Sequence, residues 1–244
     1  KKPLIFAVDG CHWANAGTAL VEFCEAAQIP CVTRRIARGC FPETHPFFLQ
    51  HFAGKKAMKA ADVRMALGMK VGTFDDFGAG WPPTIQVNES MEHIWNYIDT
   101  PVAIVGSPRI VLQQMTEYIR KNNLKPPAGR DEWVKFCEET QKGTLDELNA
   151  KAEKYKDHKP LHFGYVGKAA WDVCEEMYGG MNRVIFDGYT ITAYAASFVH
   201  ARYSGQCMDS GEQAGVGHGV GMAIGCAFAD PDTRKHPVLA LMGD

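Results

Sequence analysis

The feature of this sequence that most restricts its fold is an alternation between short apolar runs and apolar stripes at helical spacing. Residues 4–8 form such a run and end in an Asp-Gly pair, and residues 15–27 follow with apolar side chains every three or four positions. A short uninterrupted apolar run is typical of a strand buried on both faces, and the stripe is typical of an amphipathic helix. Strands that alternate with helices imply a parallel sheet, so we predict an α/β fold.

The alternation occurs twice, and a charged stretch separates the two blocks. Residues 121–160 carry many charges between prolines, and we predict a linker there with a solvated helix over 146–156. We therefore predict two Rossmann-like parallel-sheet domains with flanking helices, at 1–120 and 161–244. The predicted strands are 4–8, 30–33, 63–67, 84–88, 102–105, 183–187 and 238–242, and the predicted helices are 15–27, 110–119, 164–177, 189–201 and 215–229.

Composition excludes several classes of protein. The formal net charge is −2, from 26 Lys and Arg against 28 Asp and Glu, which gives no electrostatic footprint for nucleic acid or an anionic membrane. No apolar stretch reaches the ~18 residues that a membrane span needs. The eight cysteines form no C-x-x-C pair, and several lie in apolar runs, so we expect free thiols in a reducing, cytoplasmic compartment.

Both ends of the chain lie in strand-like runs. The sequence opens without Met beside the first run, and its last run, 237–244, stops at its first polar residue. In doubly wound sheets the chemistry lies just beyond the carboxyl ends of the strands. We therefore expect the sequence to be a piece of a longer protein.

The most informative stretch is the glycine-rich segment 209–227. Each glycine in a helix costs up to ~1 kcal/mol relative to alanine, so this density needs a reason. Glycine is tolerated where the backbone must approach another backbone or a ligand closely, and either explanation fits the residues alone. The strand that follows ends in Gly243-Asp244. A carboxylate at such a strand end is well placed to hold Mg²⁺, which shares its oxygen ligands with a bound diphosphate.

The order of these motifs resembles the diphosphate-binding domain of thiamine diphosphate enzymes of the acetolactate synthase type. The resemblance rests on motifs that occur in this order: strand, Asp-Gly, helix, Ser-Gly-x-x-x-x-Val-Gly-x-Gly, Ala-Ile-Gly-x-Ala, strand, Gly-Asp. Residues 1–120 are similar to the same family's central domain. Residues 8–17 match its first strand and loop, 29–33 its second strand, and 39–46 its G-x-x-P-x-x-H-P loop. The resemblance covers nearly the whole chain and implies thiamine diphosphate and Mg²⁺ as cofactors.

The resemblance also implies roles for matching residues. Asp244 matches a Mg²⁺ ligand, and the Ala214 carbonyl matches an acceptor for the cofactor's 4′-amino group. Val216 stands where an apolar residue holds the cofactor bent. The loop at 187–190 corresponds to the one that approaches the diphosphate. The implied cofactor-binding residues are Asp187, Gly188, Tyr189, Thr190, Ser210, Gly211, Glu212, Ala214, Val216, Gly243 and Asp244, and the implied metal ligand is Asp244.

Several positions depart from the family pattern. Glu212-Gln213 replaces a common Gly-Leu, and Glu212 faces either substrate or solvent. Asp9 stands where a glycine-rich loop would suit a flavin diphosphate, so whether the first domain binds FAD, ADP or neither stays open. We expect His218 to pack or cap rather than to bind a metal. The family's catalytic glutamate lies on an N-terminal domain, so we predict no catalytic residue in this chain and no turnover by the chain alone.

The resemblance implies an enzyme that makes or breaks carbon–carbon bonds of 2-oxo acids, first of all an acetolactate synthase. A 2-oxo-acid or oxalyl-CoA decarboxylase, or a 2-hydroxyacyl-CoA lyase, is the alternative within the family. A non-catalytic nucleotide-binding or scaffold subunit is the alternative from another class. The expected partners are a small 2-oxo acid or acyl-CoA substrate and further copies of the chain in a homodimer or homotetramer, with no nucleic acid and no membrane.

Overall fold

The computed structural model describes residues 2–188, 190–211 and 215–243. Its strands are β1 (Pro3–Ala7), β2 (Cys31–Thr33), β3 (Val63–Leu67), β4 (Thr84–Asn88), β5 (Val102–Val105), β6 (Val184–Asp187), β7 (Cys207–Met208) and β8 (Leu239–Met242). Its helices are α1 (Asp9–Trp13), α2 (Gly17–Ala27), α3 (His51–Met58), α4 (Pro108–Lys121), α5 (Arg130–Lys154), α6 (Phe163–Tyr178), α7 (Thr190–Ala195) and α8 (Gly219–Ala229).

The first five strands form one parallel sheet in the order β2-β1-β3-β4-β5. Side chains alternate across β1 with a period of two, as strand geometry requires. Leu4 and Phe6 enter a core on the side of α3 and α5, whereas Ile5 and Ala7 enter a core on the side of α2 and α4. The strand order reverses between β1 and β3, which is where ligands bind in open α/β sheets. The α/β prediction is confirmed.

Helix α5 differs from the solvated helix predicted over 146–156. It runs for 25 residues and buries a narrow stripe that includes Trp133 and Ala152. Trp133 packs in the core below β1 and donates its indole N–H to the Pro3 carbonyl at 2.7 Å. Ala152, near the other end, packs in the core of the second sheet. Helix α5 therefore packs against both cores. Its outer face carries many charged side chains, which is why the sequence pattern indicated a solvated helix.

The second sheet is parallel and has the order β7-β6-β8 among the described residues. Helices α6 and α7 cover it through a core that contains Trp171, Val184 and Phe186. Strand β7 was not predicted. It consists of only two residues, both paired with β6, and so short a segment leaves no apolar run in the sequence. Helices α7 and α8 begin as predicted within a few residues, but α7 ends at Ala195 rather than at residue 201.

The two sheets meet through the loop that carries the G-x-x-P-x-x-H-P motif. Arg38 binds the carboxylate of Glu43 through two hydrogen bonds of 2.8 and 2.7 Å and also donates to the Val199 carbonyl at 2.6 Å. Glu43 bonds Ala201 twice, through backbone N–H to carbonyl and through carboxylate to N–H. This buried ion pair therefore docks residues 199–201 of the second half onto the first.

All eight cysteines are free thiols, and seven of them are buried. Burial raises the pKa of the Cys207 thiol to about 12. Within the described part of the chain, no helix combines the length and the apolar character needed to cross a membrane.

Candidate functional site

The carboxyl ends of β6 and β8 meet at two glycines. Gly243 donates its N–H to the Asp187 carbonyl at 2.9 Å. Gly188 has a φ of +75°, and a Cβ atom added there would collide with the Gly243 carbonyl. Only glycine meets both demands, because it tolerates positive φ and leaves room for a neighbouring backbone. Asp187, Gly188 and Gly243 therefore lie at one place, the edge where both strands end.

Asp187 ties the glycine-rich segment to this edge. Its carboxylate accepts backbone hydrogen bonds from Gly217, at 3.0 and 3.1 Å to its two oxygens, and from Gly219 at 2.6 Å. Burial alone would raise the pKa of Asp187, but these N–H donors and the nearby His218 ring outweigh it and lower that pKa below its usual value. The carboxylate thus stays ionised and fixes the start of α8 against β6.

His218 closes the same turn. Its Nδ1 atom lies 2.8 Å from the Gly215 carbonyl, and its Nε2 atom lies 3.0 Å from the Phe186 carbonyl. Carbonyl oxygens only accept hydrogen bonds, so a ring nitrogen that carries a proton donates to the carbonyl that it faces. Nδ1 also lies 3.3 Å from an oxygen of Asp187. His218 thus packs between the glycine-rich turn and the end of β6.

The end of β8 lies close to the first turn of α7. The backbone nitrogens of Thr190 and Ile191 lie 3.3 and 3.5 Å from the place where a Gly243 side chain would begin. A side chain at 243 would therefore crowd this turn, which explains the glycine. The diphosphate and the Mg²⁺ ligand Asp244 that the resemblance implies here stay predictions.

Two further predicted residues lie in a neighbouring cleft. Ser210 and Gly211 line a cavity of about 640 Å³ together with Gly10 and Gly68, at the switch point of the first sheet. A Cβ atom on Gly211 would lie 3.5 Å from Asp9, whose carboxylate also lines the cleft. The cleft thus opens between the strand ends of both sheets. Asp9 is the residue that departs from a glycine-rich flavin loop in the sequence, and whether this domain binds FAD, ADP or neither stays open.

The predicted residues thus fall into two described groups and one group outside the description. Asp187, Gly188, Thr190 and Gly243 lie together at the edge of the second sheet, whereas Ser210 and Gly211 line the interdomain cleft. Val216 is 68% exposed, on the open side of the glycine-rich turn. The predicted residues Tyr189, Glu212, Ala214 and Asp244 lie outside the described residues. Their roles stay predictions.

Sequence reasoning missed the charged residues that position the site. Arg38 and Glu43 join the two halves, and Arg183 binds Asp230 through its Nε at 2.6 Å and lines the cleft. Burial would lower the pKa of Arg38, but the adjacent Glu43 carboxylate outweighs it and raises that pKa above its ordinary value. The sequence signal that could have pointed to Arg38 is a cluster of three arginines, at 34, 35 and 38, directly after an apolar strand.

Comparison with known proteins tests the resemblance. Residues 1–115 match the sequence model of the central domain of thiamine pyrophosphate enzymes. The whole chain is 26% identical over 252 residues to an oxalyl-CoA decarboxylase of Escherichia coli strain K12 and 26% identical over 259 residues to an acetolactate synthase large subunit of Buchnera aphidicola. The first 115 residues thus belong to the central-domain family of thiamine pyrophosphate enzymes. A glyoxylate carboligase of Escherichia coli O157:H7 is 22% identical over 265 residues.

The match of residues 1–115 confirms the predicted fold class and supports the predicted resemblance to thiamine diphosphate enzymes. Binding of the cofactor and of Mg²⁺ by this chain stays a prediction. The first sheet is the family's Rossmann-like central domain. Each of these relatives aligns with 100% of the chain, but the chain covers only 41–42% of each relative's length. Relatives of different reaction types match at similar identity, so identity alone does not select a reaction.

Proposed function

We propose that this chain forms part of a thiamine diphosphate- and Mg²⁺-dependent enzyme that makes or breaks carbon–carbon bonds of 2-oxo acids, as acetolactate synthases do. The observation that supports this most is the joint edge of β6 and β8. There Asp187 holds the glycine-rich turn, Gly188 lets the two strand ends approach each other, and Gly243 lies beside the first turn of α7. The relatives that align with the whole chain, an oxalyl-CoA decarboxylase and an acetolactate synthase large subunit, support this choice of chemistry.

Each part of this edge has a separate task in the proposal. When bound, the cofactor supplies the electron sink for breaking a bond beside a carbonyl. Thr190 and Gly243 border the space for its diphosphate, and Asp244 would hold the Mg²⁺. Ala214 would orient the aminopyrimidine through its backbone carbonyl, and Val216 would support the bent shape of the cofactor. Such positioning can supply several kcal/mol of the barrier.

The proposal places the proton-transferring glutamate outside this chain. Nothing among the described carboxylates near the turn takes that task, because Asp187 is already occupied by Gly217 and Gly219. The expected site is shared between protomers, in a dimer or tetramer. The expected compartment is the cytoplasm, where the free thiols of the chain would remain reduced.

An acyl-CoA reaction is the second candidate. It is supported by the oxalyl-CoA decarboxylase relative, which matches the chain as well as the acetolactate synthase does. The interdomain cleft, at about 640 Å³, lies within the usual range for a sizeable organic ligand. Lys70 and Arg183 in its lining offer cations to an anionic substrate.

Turnover by the full-length protein tests the choice. The protein would be supplied with thiamine diphosphate and Mg²⁺ and, in separate reactions, with pyruvate, glyoxylate or oxalyl-CoA. We expect carbon dioxide release with formation of acetolactate from pyruvate. Release from oxalyl-CoA alone would replace the first candidate with the second.

A catalytically inert result is also informative. Tight cofactor binding without turnover of any of the three substrates would overturn both candidate reactions but keep the cofactor site. Neither binding nor turnover would overturn the enzyme proposal and favour a scaffold subunit. The chain expressed alone is the matched control, and we expect it to be inactive.

A further inference from the structure

A second cavity lies within the first half of the chain, between α2, α4 and the segment that leads into α5. It has a volume of about 560 Å³. The carboxyl-terminal halves of the two helices form its walls, with Phe23 and Ala26 on α2 and Met115 and Ile119 on α4. Helices that connect parallel strands run back along the sheet, so this cavity lies toward the amino ends of the strands and away from the interdomain cleft.

The lining of this cavity is almost entirely apolar. Fifteen described residues line it, and only four of those carry a polar side-chain group: Gln114, Tyr118, Lys125 and Arg130. Sites for small organic ligands have volumes of roughly 300–1,000 Å³ and combine apolar walls with a few polar groups that orient the ligand. Tyr118 is 63% exposed and Leu124 is 47% exposed, so apolar surface continues to the mouth of the cavity. Composition and size therefore suit a small, largely apolar ligand.

Arg130 places a buried cation in this apolar lining. It is the first residue of α5 and is only 8% exposed. The hydrogen bonds that its guanidinium makes to described residues both come from Nη1, to the Ala27 carbonyl at 2.6 Å and the Gln28 carbonyl at 3.2 Å. Its buried Nε atom has no hydrogen-bond partner in the described part of the chain. Buried donors are nearly always hydrogen-bonded, so a guanidinium with spare donors indicates an acceptor that the chain does not supply.

The charge of Arg130 is only partly compensated. Burial lowers the pKa of Arg130 below its ordinary value, and the Asp62 carboxylate opposes this only in part. Asp131 and Glu132 follow in the same helix but are exposed and lie outside the lining. Among the described residues, no Asp or Glu lines the cavity, whereas Lys125 adds a second cation. The lining therefore carries a net positive charge, which favours an anionic group.

We propose that this cavity binds a small amphiphilic carboxylate, with its apolar tail between α2 and α4 and its carboxylate at Arg130. A guanidinium group matches a planar carboxylate in shape and charge, and such pairs are stronger than neutral hydrogen bonds. A ligand that also carries an ammonium group is disfavoured, because that group would lie near Lys125 and Arg130. The site is remote from the joint edge of β6 and β8, so the proposal does not depend on the cofactor.

Calorimetric titration of the full-length protein with octanoate tests this proposal. We expect saturable binding to one site per chain, with the same affinity in the presence and absence of thiamine diphosphate and Mg²⁺. Hexanoate and decanoate test the apolar part, and affinity should rise about tenfold for each two added carbons until the cavity is filled. 1-Octanol and octylamine test the charged part, and each should bind at least tenfold more weakly than octanoate.

Two variants localise the binding. Arg130→Gln removes the cation, and this variant should bind octanoate about as weakly as the parent protein binds 1-octanol. Ala26→Leu fills the space between the helices and leaves Arg130 in place, and we expect it to weaken octanoate binding at least fivefold.

Each of these variants has a matched control that should stay within twofold of the parent. Arg120→Gln removes an exposed cation at the same end of α4, outside the lining. Ala150→Leu adds the same side chain at an exposed position of α5. Urea unfolding of every variant separates lost binding from lost folding, and Ala26→Leu decides the location if Arg130→Gln does not fold.

Three results would overturn the proposal. The first is the absence of saturable octanoate binding to the parent protein, as expected if water or another part of the full-length protein fills the cavity. The second is binding of octylamine as tight as that of octanoate, which would show that the site does not select an anion. The third is octanoate binding that Arg130→Gln and Ala26→Leu leave as strong as their controls do.

Discussion

An oxygen of the Asp187 carboxylate lies 2.6 Å from the backbone nitrogen of Gly219, at the first residue of α8. This bond joins the end of a strand to the start of the glycine-rich helix. Asp187 is 4% exposed, so water cannot replace the bond easily. The buried Asp187 side chain therefore helps to fix the turn at 215–219, together with His218, which contacts the Phe186 carbonyl.

Replacing this carboxylate tests its role directly. We expect Asp187→Asn to lower the free energy of unfolding by about 1–3 kcal/mol, because an amide nitrogen then faces the backbone donors. Urea unfolding measures the loss. Asp172→Asn is the control, because Asp172 forms an exposed pair with Lys168 and should change stability by less than about 0.5 kcal/mol. Equal effects of the two variants would show that Asp187 does not hold the turn.

Two glycines of α8 give a matched pair. A Cβ atom on Gly219 would lie 2.7 Å from the Cβ atom of Asp187, whereas one on Gly221 would meet nothing within 4 Å. We expect Gly219→Ala to destabilise the protein by about 1–3 kcal/mol through overpacking. Gly221→Ala should be neutral or stabilise it by up to about 1 kcal/mol through helix propensity. Thermal unfolding compares them, and the reverse order would contradict the packing described here.

The Arg38–Glu43 pair should be worth far more than a surface pair. Breaking it by Glu43→Gln leaves a buried guanidinium without its carboxylate, and we expect a loss of about 3–5 kcal/mol. Lys56 and Glu147 form the control pair, since both side chains are largely exposed. Glu147→Gln should cost less than about 1 kcal/mol. A small loss for Glu43→Gln in urea unfolding would show that the pair does not dock the two halves.

His51 should make stability depend on pH. Its pKa is about 3 in the folded protein and about 6.5 in an unfolded chain, so between these values the unfolded state binds the extra proton. Stability should therefore rise with pH across this window, by about 1.4 kcal/mol per unit from this residue. His51→Gln should remove that slope from urea unfolding measured at pH 4.5–6.5. His158 is exposed, so His158→Gln is the control and should retain the slope of stability against pH. Equal slopes in the two variants would contradict the burial of His51.

The sequence predicted the parallel strands well because each is a short apolar run whose neighbours along the chain are turn signals. Strand β6 ends within an Asp-Gly pair, and β1 ends one residue before another such pair. It could not predict β7, whose two residues are a strand only because β6 lies beside them. The prediction of a solvated helix in place of α5 was wrong. Helix α5 buries only one narrow stripe of side chains, and its many charged residues give it the sequence pattern of a solvated helix.

Among the candidate site residues, Gly188 and Gly243 were named from the family resemblance. The structure gives a physical reason for glycine at both, because the two strand ends approach closely. The tasks of His218 and Arg38 were not predictable, because each depends on carbonyl groups that are distant in sequence or set by a turn. Such partners become visible only after the chain has folded.

The most direct test of the account is the affinity of the full-length protein for thiamine diphosphate, measured by calorimetry with and without Mg²⁺. We predict tight binding that requires Mg²⁺ and falls at least tenfold in Asp244→Asn. Asp232→Asn, in the exposed turn after α8, is the control and should bind like the parent. Binding that is independent of Mg²⁺, or that Asp244→Asn leaves unchanged, would contradict the assignment of the cofactor to the joint edge of β6 and β8.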